Sequence, residues 1–82
     1  LRAKKKQKRQ QTWAEKVASV IRASRQSEKL TRAQLAGRLG WTEVMVINVE
    51  RMKREATVTD VILIAQALGV DPERMFVRIL KW

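Results

Sequence analysis

Apolar side chains recur at Trp13, Val17, Val20 and Ile21, at i, i+4, i+7 and i+8, with Ser24 following at i+11. That spacing predicts an amphipathic helix starting near Thr12. Glu15 falls in its first turn, where a carboxylate suits the helix dipole. Ser27, Glu28 and Lys29 read as a connection. Leu30 then precedes Thr31, an N-cap with Gln34 three residues on, so a hydrophobic staple leads into a capping box. Leu35, Ala36 and Leu39 form the apolar face of a second helix. Gly37 and Gly40 are expected to allow close packing and a turn with positive φ. Thr42 caps a third helix, with Val46 and Val49 inward and Glu43, Ile47, Asn48 and Arg51 turned elsewhere. Residues 51–56, RMKREA, read as a basic loop. Thr57 and Asp60 open a fourth helix whose core face is Val58, Val61, Ile62, Ala65 and Leu68, and Gly69 stops it. Asp71 and Pro72 start a fifth, with Met75, Phe76, Ile79 and Leu80 as its stripe.

The pattern predicts an all-α fold, a compact bundle of five helices. Its second and third helices, joined by a short turn at Gly40, have the form of a helix-turn-helix. At 82 residues and 45% hydrophobic content the chain suits one small domain. No apolar run approaches the ~18 residues needed to span a bilayer. Neither a signal peptide nor an internal repeat is read in the sequence, and a start at Leu1 instead of Met leaves open that the chain is a fragment.

Charge narrows the function. The net charge is +10, which favours a polyanionic partner, nucleic acid before membrane. Six of the ten charges lie in residues 1–10, on Arg2, Lys4, Lys5, Lys6, Lys8 and Arg9. A like-charged block cannot build a core and is expected to be a disordered basic arm, residues 1–11, ahead of a domain at 12–82. Three uses are open to it: a solubilising tail, an arm following phosphates or entering a groove, or a localisation signal. The sequence has no Cys and no His, so disulfides, the usual zinc sites and the commonest acid–base chemistry are all excluded. No cofactor, metal or small-molecule ligand is expected, and an enzyme is the least favoured class.

The ordered stretches Leu30-Thr31, Leu35-Ala36, Leu39-Gly40, Val46, Val49-Glu50-Arg51 and Ile64-Ala65-Gln66-Ala67-Leu68-Gly69-Val70 resemble the phage-repressor or XRE-type helix-turn-helix domain. The resemblance covers about residues 17–76. It implies a repressor-like fold in a bacterial or phage-type cytoplasmic, nucleoid-associated setting. It also implies an ion pair between Arg25 and Glu50, against the alternative of two unpaired surface charges. Glu43, Val44, Ile47 and Asn48 fall at the base-facing positions. Asn can pair with adenine, Glu can accept from cytosine N4, and Val or Ile can pack on a thymine methyl. Arg32, Thr42, Lys53 and Arg54 fall where the family faces the sugar-phosphate backbone. The chain departs from the family in four ways. Met52 stands where Gly is usual, Ala56 is near a usual Pro, Arg32 replaces a common Gln, and helix three is unusually apolar. Met45 is expected to face the domain itself or a partner.

These features imply a sequence-specific regulator binding double-stranded DNA, with helix three in the major groove at a palindromic site. Leu63, Phe76, Ile79, Leu80 and Trp82 exceed what so small a domain can cover and are candidates for a homodimer interface. The alternative reuses the fold as a protein-interaction module, through helix three or the C-terminal helix. Deleting residues 1–10 should weaken binding to every duplex. It should also flatten the dependence of log K on log salt, by about 0.9 for each phosphate no longer neutralised. Titration at several salt concentrations reads this directly, and an unchanged slope would make the arm a bystander.

Overall fold

The computed structural model describes residues 11–82, which form five helices: α1 Trp13–Ser27, α2 Arg32–Leu39, α3 Glu43–Glu50, α4 Val58–Leu68 and α5 Pro72–Lys81. The six basic residues of the arm lie outside the described residues. Each helix starts at a short polar side chain. Thr12, Thr31, Thr42 and Thr57 have extended backbone and accept from the amide three residues on, while Asp71 accepts from that of Glu73. The amides of Thr12, Thr31 and Thr57 in turn donate to the side-chain oxygens of Glu15, Gln34 and Asp60, at 2.8, 2.8 and 3.0 Å. At α3 the third residue is Met45, which has no acceptor to return. Each such cap contributes about 1 kcal/mol.

The first four helices stop in one way. A residue with left-handed backbone turns the chain out: Lys29, Gly40, Met52 and Gly69, at φ 57, 72, 62 and 74°. The next amide then donates to the carbonyl five residues back. These bonds run from Leu30 to Arg25, Trp41 to Ala36, Lys53 to Asn48 and Val70 to Ala65, at 3.1, 2.9, 2.7 and 2.8 Å. They are Schellman stops, which satisfy carbonyls the helix leaves unpaired. Leu30, Trp41 and Val70 also pack against the core, whereas Lys53 is exposed. Gly37 does not have the packing role expected of it, because a Cβ there would meet nothing within 4 Å.

α1 packs against α3, α4 and α5; α2 lies on α3 and α4; α5 closes against α1 and α4. The shared core includes Val17, Val20, Ile21, Leu35, Val46, Val49, Val61, Ile64, Leu68, Met75 and Ile79. Two assignments change. On α4 the buried positions are Val61, Ile64, Ala65 and Leu68, while Val58 is exposed. The α4 sequence is apolar nearly all round, so periodicity alone does not phase it. On α5, Ile79 has no accessible surface and belongs to the core, so it cannot serve a dimer interface. Phe76 is half-buried and stacks on Trp13, with ring centroids 6.2 Å apart and planes at 18°, tying the start of α1 to α5. Leu63, Leu80 and Trp82 are exposed, as is Val77. Among the described residues no helix is long and apolar enough to cross a membrane.

Left-handed backbone is costly for a side chain bearing Cβ, on the order of 1 kcal/mol. Met52→Gly should therefore stabilise the domain by roughly that amount, a rise of ~4–8 °C in melting temperature. A fall on thermal denaturation would show that the Met52 side chain contributes more than its backbone costs.

Candidate nucleic-acid interface

The α2 stop at Gly40 and Trp41 places Thr42 to begin α3. Val46 and Val49 enter the core and fix which side of α3 faces out. Glu43 and Val44 are exposed, with Val44 at 61%, and Met45, Ile47 and Asn48 are half-buried. The side chains of Glu43 and Asn48 have no hydrogen bond or ion pair among the described residues, so the Asn48 amide keeps both its donor and its acceptor. The Lys53 and Arg54 amides both donate to the Asn48 carbonyl, at 2.7 and 3.1 Å, and hold the following loop against the end of α3.

The four residues assigned to the DNA backbone stand differently from one another. Thr42 is exposed and its hydroxyl caps the Met45 amide at 3.3 Å. Lys53 is exposed and makes no ion pair among the described residues. Arg54 is engaged within the fold. Its guanidinium lies 5.1 Å from the Trp41 ring centroid, and Nη2 is 3.6 Å from Asp60 Oδ2. It thus joins the α2–α3 turn to the cap of α4, and a phosphate would have to draw it away from an aromatic face and a carboxylate. Arg32 donates through Nε to Glu50 Oε1 at 3.0 Å.

Glu50 is the centre of this region, with no accessible side-chain surface. Arg25 grips both its oxygens, Nε to Oε2 at 2.7 Å and Nη2 to Oε1 at 3.1 Å, and gives Nη1 to the Leu30 carbonyl at 2.8 Å. Arg22 donates through Nη2 to the Glu50 backbone carbonyl at 3.1 Å, with Nε 3.9 Å from Oε1. Burial alone would raise the carboxyl pKa. The hydrogen bonds from Arg25 and Arg32, with the charges of both, outweigh it and hold Glu50 below its ordinary value.

Sequence reasoning reached the Arg25–Glu50 pair but not the rest of the cluster. The available signal for Arg22 was its place three residues before Arg25, on the same helix face. Arg38 was also missed; its Nη1 donates to the Ala67 carbonyl at 3.0 Å, placing a cation at the end of α4. The Trp41–Arg54 contact has no local pattern that could have revealed it.

The family described as Helix-turn-helix matches residues 21–75, and the chain belongs to this XRE-type helix-turn-helix family of DNA-binding transcription regulators. The crystal structure of the restriction-modification controller protein C.Esp1396I is similar, with a TM-score of 0.80 and 25% identity over 88% of this chain and 92% of that one. The clp gene regulator ClgR from C. glutamicum gives a TM-score of 0.81 at 17% identity, over 88% and 94% of the two chains. An XRE-family like protein from Pseudomonas syringae pv. tomato str. DC3000 gives 0.77 at 20% identity, over 84% of each. The last two likenesses bear on the fold alone. No curated protein sequence matches the chain.

Because the folded-state pKa of Glu50 is depressed, its contribution is present above the unfolded value and is lost as pH falls through the folded one. Glu50→Gln should cost about 3–5 kcal/mol at neutral pH, since it leaves buried Arg25 without its counter-charge. It should also flatten the acid limb of stability against pH. Urea denaturation between pH 7 and 3 tests both; parallel acid limbs in the two proteins would place the acid-sensitive group elsewhere.

Proposed function

We propose that the chain is a sequence-specific transcriptional regulator that binds a palindromic double-stranded DNA site as a homodimer, with α3 in the major groove. One observation carries this reading. The outward side of α3 presents Glu43, Val44, Ile47 and Asn48 beside one another, with the two polar side chains uncommitted, in a family of DNA-binding regulators. Asn48 supplies the donor–acceptor pair that adenine matches, and Val44 and Ile47 supply surface for thymine methyls. Thr42 and Lys53 flank them as backbone contacts that position without specifying. Exposed Leu63, Val77, Leu80 and Trp82 are the apolar surface for pairing two copies, with Leu80 at 66%. A two-fold pair would set the recognition helices about 34 Å apart, one DNA turn. Cytoplasmic residence with the nucleoid follows from this role.

The exposure of Val44 beside half-buried Met45 and Ile47 favours a second reading, in which α3 docks a protein partner. Selection of bound sites from random duplexes separates the two, since only the first yields an enriched palindrome. On that site Asn48→Ala should cost about 1–3 kcal/mol and relax the choice at one base pair. Val44→Ala should cost less, and replacing one thymine by uracil should mimic it. Substitutions that lower affinity without altering the selected sequence would move α3 from reading bases to binding a partner.

A further inference from the structure

The Glu50 cluster holds more positive charge than its one carboxylate neutralises. Arg22, Arg25 and Arg32 all reach Glu50, which leaves two positive charges over. Arg25 is buried and uses its guanidinium on Glu50 and Leu30. The other two are different. The Arg22 side chain is 47% exposed and the Arg32 side chain 36% exposed. Arg32 spends only Nε, and Arg22 only Nη2, in hydrogen bonds among the described residues. Both Nη groups of Arg32 and Nη1 of Arg22 retain free donors. Their Nε atoms lie 3.0 and 3.9 Å from the same Glu50 oxygen, so the two guanidinium groups are held close together. Without Glu50 between them they would repel.

We propose that Arg22 and Arg32 form a two-armed clamp for a single backbone phosphate, assembled by Glu50 as a positioning residue. The inference rests on the DNA-binding reading above and deepens it, bringing α1 into the interface. Guanidinium groups fit phosphate oxygens because their N–H donors lie in a planar fork. Here each fork is already oriented by its bond to Glu50 or to the α3 terminus, so less side-chain freedom is lost on binding. Lysine at either position would keep the charge and lose the fork.

The test is fluorescence titration of a random-sequence duplex with the full chain at several salt concentrations. Arg22→Gln and Arg32→Gln should each weaken binding to every duplex. Because both arms share one phosphate, the double variant should flatten the slope of log K against log salt by about 0.9 in total, not by twice that. A change near 1.8, the mark of two separate phosphates, would overturn the clamp. So would a double variant with the wild-type slope. Should a variant fail to fold, wild-type protein gives a second readout: the Nε–H resonances of Arg22 and Arg32 should shift together as duplex is added. A shift in only one of them, or in neither, would overturn the proposal. Wild-type protein that bound no duplex would sink the DNA-binding reading itself, a result distinct from loss of the clamp alone.

Discussion

A carboxylate with no contact with water, at the end of an eight-residue helix, fixes how three helices meet. Glu50 can remain ionised there only because Arg25 from α1 meets both oxygens and Arg32 from α2 meets one. The geometry is demanding, since an ion moved from water loses several kcal/mol of solvation that well-placed partners must offset. Buried ion pairs are often no more stabilising than apolar groups of similar volume. Their distinctive property is direction. An apolar contact between α1 and α3 would tolerate sliding, whereas a bidentate guanidinium accepts few relative positions. Val46 and Val49 choose which face of α3 is buried; Glu50 sets where its end lies against α1 and α2.

Elsewhere the domain uses one device repeatedly. Short helices are marginal alone, because nucleation is costly and four groups at each end lack partners. The described helices answer at both ends: a Thr or Asp accepts amide bonds at each of their starts, and a left-handed residue redirects the chain at four of their five ends. At three of those ends the following apolar residue enters the core, so hydrogen bonding and burial support the same turn. Trp41 goes further, since it also carries Arg54 on its face.

How much of this was legible in the sequence depends on how local the cause is. The caps were legible, because Thr or Asp acts on an amide two or three residues away. Gly40 and Gly69 announced their turns; Lys29 and Met52 adopt the same backbone with side chains that give no sign of it. The family's Gly at the Met52 position was the only hint. α4 was misphased at Val58 because an almost uniformly apolar segment carries little periodicity. Ile79 was given to a surface because a stripe on the last helix cannot say where the core ends. The site divides along the same line. Glu43 was readable as an outward position from helical geometry, and Val44 and the Arg25–Glu50 pair from family resemblance. The joining of Arg22 and Arg32 to that pair, and of Arg54 to Trp41, depends on groups meeting across 28, 18 and 13 positions of chain, where no spacing rule reaches.

The stop after α3 differs from the other three because Lys53 stands where they have a core-seeking side chain. Its backbone bonds are made, but the Lys53 side chain has no place in the core to leave when they break. Segments of that kind open at a free-energy cost well below that of global unfolding. Amide protons of 51–55 are therefore expected to exchange through local opening, at a lower free-energy cost than those of the α1 and α4 core. The path between α3 and α4 is thus held by hydrogen bonds and by Arg54, where the other three stops are held by burial as well.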